Sequence, residues 1–198
     1  MKKKDMIIGS IFIAVTILLD QLVKILIRVN MDTGSSITLI NHFFSITHVE
    51  NTGAAWGGFS GYTIALIIVS IAILGYFIYL YKDINFKNKM VFSISLILVI
   101  GGTIGNLIDR IAFRSVTDMF DFIILGYDFP VFNVADIFLV FGFALFIIDM
   151  VFLNKEVAKE IKEEEKKEKL TSDVVEENVE EESNEGNNWD CCWRKHAR

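Results

Sequence analysis

The sequence predicts an all-α membrane protein with four transmembrane helices, a small extracytoplasmic β-rich loop region and a disordered cytoplasmic C-terminal tail. Three observations carry that prediction. The 198 residues are 53% hydrophobic with 17 Phe, and mean hydropathy is +0.45, too apolar for a soluble domain of this size. Four apolar runs hold the excess, each near the roughly 20 residues that cross a bilayer core of about 30 Å. The basic residues alternate between dense and sparse connections, as the positive-inside rule requires of a multi-span chain.

The first run is Met6–Val29, interrupted by Asp20 and Lys24. Met1–Asp5 ahead of it resembles the start of a signal peptide, but no small-residue cleavage site follows, so the run reads as a retained helix. The next spans are Tyr62–Tyr81, Met90–Ile111 and Val134–Leu153. Lys2, Lys3 and Lys4 precede the first helix, Lys82, Lys87 and Lys89 fill the connection after the second, and six Lys follow the fourth between Lys155 and Lys169. The other two connections carry only Arg28, Arg110 and Arg114, all at helix ends. Both termini and the short Lys82–Lys89 loop are therefore expected in the cytoplasm, and loops 30–61 and 112–133 outside.

This divides the chain into a membrane domain, 1–154, and a charged tail, 155–198. The tail holds 14 acidic and 9 basic residues, so the membrane domain contributes only −1 of the net −6. Its composition is that of a solvated, disordered segment. Cys191 and Cys192 are the only cysteines, and adjacent cysteines on the reducing side of a membrane do not suggest a structural bridge. "WDCCWRKH" offers lipidation or metal binding with His196 as a third ligand, against the simpler reading of a bystander tail. No basic, aromatic-interleaved surface suggests nucleic acid.

Charges within spans are expensive in lipid and point to function. From Met6, Asp20 and Lys24 lie about 21 and 27 Å along the first helix at 1.5 Å per residue. Asn106, Asp109 and Arg110 occupy the last two turns of the third helix, and Asn133 and Asp136 the first turn of the fourth. All fall at the outer level, while the inner half of the bundle is nearly devoid of such groups. Each set has i,i+3 or i,i+4 spacing and so occupies one helical face. Three polar faces at one depth should converge inside the bundle. Structural readings compete: Asp20 and Lys24 form an intrahelical ion pair, Asp109 and Arg110 are a snorkelling helix end, and Asn133 and Asp136 are a capping box after Pro130. The last is compatible with a functional Asp136, since a helix N-terminus favours negative charge.

The first outer loop, "ITLINHFFSITHVENTGAAWGGF", has the β-branched and aromatic content of short strands at the membrane surface, with Trp56 suited to the interface. The second, "RSVTDMFDFIILGYDFPVF", offers Asp118, Asp121 and Asp128 beside the bundle mouth. No HExxH motif occurs, and His42 and His48 read as loop residues, which leaves a zinc protease without support.

Five motifs in order, "DQLVK" (Asp20–Lys24), "NTGAAWG" (Asn51–Gly57), "GGTIGNLIDR" (Gly101–Arg110), "VTDMFDF" (Val116–Phe122) and "FNVAD" (Phe132–Asp136), resemble those of the lipoprotein signal peptidase (signal peptidase II) family. The resemblance covers roughly residues 1–153. It implies a bacterial intramembrane aspartyl protease that cleaves diacylglyceryl-modified prolipoproteins just before the lipidated cysteine. It implies Asp118 and Asp136 as the catalytic pair, with Asp20, Lys24, Asn51, Gly53, Asn106, Asp109, Arg110, Asn133 and Ala135 in support. It further implies no cofactor or metal, a membrane-lipid environment and a monomer. Met119 and Ile137 depart from the residues usual at their places and would reshape the pocket wall only.

On this reading two close carboxylates share one proton. Asp136, at a helix N-terminus, is expected ionised, and Asp118 protonated. Asn51, Asn106, Arg110 and Asn133 are expected to orient substrate, with Gly53 and Ala135 leaving it room. A small transporter or lipid-binding protein is the rival from another class, but its acids belong near the midplane. A serine–lysine protease using Lys24 lacks a nucleophile at that depth: Ser93 and Ser95 start the third helix, and Ser45 and Ser115 are weak candidates.

Overall fold

A computed structural model describes residues 2–53 and 63–153. Trp56, the end of the "NTGAAWG" motif, the tail 155–198 and its cysteines lie outside the described residues. The chain divides into two compact units, Met1–Asp149 and Met150–Arg198, and of the second only Met150–Leu153 are described. Among the described residues, four helices are long and apolar enough to cross a membrane, the fourth counted together with the turn that continues it. They are α1 (Lys2–Asn30), α2 (Thr63–Tyr81), α3 (Met90–Phe113) and α4 (Val134–Ile148), the last followed by a π-helical turn, Asp149–Leu153. Helix α1 starts earlier than its apolar run because Lys2–Lys4 are good helix formers and Asp5 suits the positive end of the helix dipole.

The bundle is organised around α3, which is buried over most of its length, whereas the other helices expose theirs. Helix α1 is inside out for a soluble protein. Thr16, Asp20 and Lys24 are buried, while Ile7, Phe12, Leu18, Leu22 and Val29 face outward. In lipid that arrangement is favourable, because apolar side chains gain nothing from leaving hydrocarbon and close packing must hold the helices together. Glycines permit the approach. A Cβ on Gly105 would lie 2.6 Å from Asp20 Oδ2, and one on Gly102 would lie 2.7 Å from the Ala135 carbonyl. At the opposite end Asp149 is buried beside the Phe92 backbone at the start of α3. This acid falls at the end expected to lack polar groups.

Four antiparallel strands, β1 (Ser36–Ile40), β2 (Phe44–Asn51), β3 (Val116–Ile124) and β4 (Tyr127–Asp128), form a sheet in that order. The first two arise from the loop after α1 and the last two from the loop between α3 and α4. Strand β3 pairs with β2 from far along the sequence, Asp118 opposite Val49, with a register shift between Ile46 and Val49. Phe44 stacks on Phe122 at 4.4 Å, and Phe122 on Phe132 at 5.8 Å. The Met119 and Phe120 amides both donate to the Phe132 carbonyl, so the segment entering α4 lies along β3.

Candidate active site

Strand alternation decides which acids of the second loop reach the bundle. Asp118 is buried, 3% exposed, and enters a cavity of about 200 Å³ together with Asp136. Asp121 is three residues on and belongs to the other face, where it accepts from Thr47 Oγ1 at 2.6 Å. Asp128 is exposed on β4. Asn51, Gly53, Asn106, Arg110 and Asn133 also line the cavity, with Val116 and Phe129–Phe132 as its apolar wall.

Each acid is held by amides. Asp118 Oδ1 accepts from Asn133 Nδ2 at 2.6 Å, and Oδ2 from Asn51 Nδ2 at 2.9 Å. Asn51 also receives the Gly53 amide at 2.9 Å, which fixes the end of β2. Asp136 Oδ1 accepts from Asn106 Nδ2 at 2.8 Å, and Oδ2 from the Asn133 amide at 3.2 Å. The reciprocal bond from the Asp136 amide to Asn133 Oδ1, 3.0 Å, completes a capping box at the start of α4. Asn133 thus caps a helix with its oxygen while its nitrogen holds the other acid, so the capping and functional readings of this motif describe one geometry. Arg110 reaches the cavity, with Nη2 3.5 Å from the Gly53 carbonyl. Burial is the largest influence on Asp118 and the neighbouring Asp136 charge the next; together they push its pKa from 3.8 to about 6, against the Asn51 and Asn133 bonds that lower it.

A second polar layer supports the first. Lys24 is wholly buried, its Nζ 2.9 Å from Asp20 Oδ2 and 3.3 Å from Asp109 Oδ2, and it donates to Asn106 Oδ1 at 2.9 Å. Asn106 therefore links the Lys24 ammonium to Asp136. Asp20 Oδ1 accepts the Ala135 amide at 2.9 Å, tying α1 to the α4 N-terminus. The Asp20–Lys24 ion pair is present, yet it is one part of a network across three helices. Asp109 and Arg110 diverge instead of sharing a face. Asp109 turns to Lys24, Arg28 and the Thr117 amide, and Arg110 to the cavity. Ala135 corrects another expectation, since it is buried and does not line the cavity. Its methyl faces Gly105, where a Cβ would come within 3.3 Å, so its smallness serves helix packing and not room for substrate.

Three members of this layer are absent from the sequence-derived candidates. Gln21 Nε2 donates to Asp20 Oδ2, the Gly105 carbonyl and Asp109 Oδ1 at 3.0–3.2 Å. Arg28 Nη2 lies 2.8 Å from Asp109 Oδ1, and Arg28 Nε donates to Thr117 Oγ1 at 2.7 Å. Extending the Asp20/Lys24 register by four residues reaches Arg28, a signal hidden by treating it only as a marker of topology.

A model of the signal peptidase II family, Peptidase_A8, matches residues 12–152. The chain belongs to that family. Relatives named lipoprotein signal peptidase, from Staphylococcus aureus strains JH9 and Newman, are each 43% identical over 150 residues, covering 75% of this chain and 91% of theirs. Two solved structures described as a bacterial membrane enzyme, determined by the in meso method at 2.3 and 1.9 Å, are 35% identical with TM-scores of 0.66 and 0.65. They cover 72% and 73% of this chain, and 87% and 92% of their own. The match spans every cavity residue described for this signal peptidase II, including both acids and their amides.

Proposed function

We propose that this signal peptidase II removes lipoprotein signal peptides by aspartic catalysis, with Asp118 and Asp136 sharing one proton. The observation carrying this reading is the convergence of two carboxylates from different elements on one cavity, each gripped by asparagine amides. Charge balance supports a single proton. Asp20 and Asp109 are offset by Lys24 and Arg28, so a singly protonated pair leaves one negative charge facing Arg110.

Asp136 acts as the base. It takes a proton from water, whose oxygen attacks the scissile carbonyl carbon while protonated Asp118 hydrogen-bonds to and then protonates the carbonyl oxygen. Collapse of the gem-diol intermediate breaks the C–N bond as Asp136 gives its proton to the leaving amine, while Asp118 takes a proton back from one hydroxyl, which re-forms the carbonyl and restores the singly protonated pair. Burial of Asp118 supports the assignment, because it raises that carboxyl to about 6 and so favours its protonated form. The asparagine amides, already engaged with the acids, position the pair. Arg110 and Gly53 remain at the cavity to meet the peptide backbone, and no cofactor enters the steps.

The substrate is a diacylglyceryl-modified prolipoprotein cleaved before its lipidated cysteine, with the diacylglycerol left in surrounding lipid. Lysine placement supports cytoplasmic termini and a site near the outer membrane face. A catalytic domain over 1–154, a separate tail over 155–198 and a monomer complete the proposal. Incubating purified protein with a diacylated prolipoprotein and reading product masses tests it. Mass loss should correspond to release immediately before the modified cysteine, and cleavage elsewhere or cleavage of the unlipidated precursor at the same rate would refute it.

A further inference from the structure

We propose that Arg28 is a positioning residue for Asp118, fixing through Thr117 and Asp109 the strand segment from which that carboxyl enters the cavity. The proposal rests on the aspartic reading above and adds a residue to it. Thr117 immediately precedes Asp118 and points to the opposite face of β3. There its hydroxyl oxygen accepts from Arg28 Nε at 2.7 Å, and its amide donates to Asp109 Oδ2 at 3.2 Å. Arg28 Nη2 closes the ring as an ion pair with Asp109 Oδ1 at 2.8 Å, its N–H directions not aligned for a hydrogen bond. The guanidinium also lies over the Phe113 ring, 4.2 Å from its centroid. One side chain of α1 is thereby pinned to α3 and β3 together.

An independent feature shows why the strand needs holding from behind. The β2–β3 register shifts between Ile46 and Val49, and Asp118 pairs with Val49 at the edge of that irregularity. A bulge re-aims side chains but weakens the ladder locally. The amides of Asn51 and Asn133 hold the tip of Asp118 from the cavity side. The clasp on Thr117 holds its backbone from the other. A guanidinium suits this task because its planar fork engages two partners in fixed directions, whereas an ammonium is a single point charge.

The test compares wild type with Thr117→Val, Thr117→Ser, Arg28→Lys and the Thr117→Val/Arg28→Lys double variant. Turnover of a diacylated prolipoprotein is normalised to monodisperse folded protein, with Asp118→Asn alongside. Because small displacements of catalytic groups carry large rate effects, Thr117→Val and Arg28→Lys should each lower kcat about tenfold with KM changed less than about twofold. Thr117→Ser should recover most of the rate, and the double variant should be no slower than the slower single one. Wild-type kcat in both singles, a loss confined to KM, or losses that multiply in the double variant would each overturn the clasp. An inactive Asp118→Asn beside such a result leaves the aspartic reading standing and removes only Arg28's role. An active Asp118→Asn would remove both.

Discussion

Replacing Asp118 by Asn should make the protein inactive and, at alkaline pH, relatively more stable. The carboxyl is 3% exposed and its pKa is raised from 3.8 to about 6, first by burial and then by the Asp136 charge. Between these values the folded state binds more protons than the unfolded state, so this group's contribution to stability falls as pH rises. Below 3.8 both states are protonated and no penalty exists. Above about 6 it is complete, and a shift of about 2 units corresponds to about 3 kcal/mol. Asparagine does not ionise, but its NH2 group must face the amide nitrogen of either Asn133 or Asn51, losing one bond at a cost of about 1–3 kcal/mol at every pH. The quantity free of that offset is the change with pH. Going from pH 4, where a small part of the penalty is already present, to pH 8, Asp118→Asn should gain about 2 kcal/mol relative to wild type, or about 4–8 °C in midpoint at about 2–4 °C per kcal/mol. Thermal unfolding of both proteins in one detergent at the two pH values measures it. A difference between mutant and wild type that stays constant within about 1 °C would show that Asp118 titrates normally and would refute the reasoning.

The same titration should appear in the kinetics. kcat/KM should decline above about pH 6, approaching tenfold per unit as Asp118 loses its proton, and a flat profile to pH 9 would exclude it as the acid in the free enzyme. Lys24→Met leaves Asp20 without its ammonium and frees Asn106 Oδ1, so it should destabilise by about 3–5 kcal/mol and lower the melting midpoint by about 6–20 °C. A midpoint within about 2 °C of wild type would contradict the buried-countercharge role. Treatment with EDTA should leave cleavage unchanged, since the polar groups at the cavity are carboxylates committed to amides, other amides and one guanidinium. Inhibition reversed by added zinc would contradict the mechanism.

The helices were legible because a bilayer imposes a length and a composition, and the ends of α2, α3 and α4 lie close to their apolar runs. Helix α1 overran its run since lysines continue a helix into water as readily as apolar residues continue it into lipid. Strand β3 was not legible, because its pairing with β2 is remote in sequence and the loop's three acids look alike in composition. Only the side-chain alternation of a strand separates Asp118 from Asp121, and only the motif resemblance selected Asp118 beforehand. The polar faces of α1, α3 and α4 were visible from spacing, but spacing does not state a partner. Adjacent residues can point to different sites, as Asp109 and Arg110 do, and a small residue such as Ala135 can serve a helix contact instead of a pocket.

The most direct measurement is cleavage of a diacylated prolipoprotein by purified Asp118→Asn and Asp136→Asn proteins, each shown to be folded and monodisperse. Neither variant should give detectable product under conditions where the wild type converts the substrate completely. Wild-type turnover by either one would contradict aspartic catalysis by this pair.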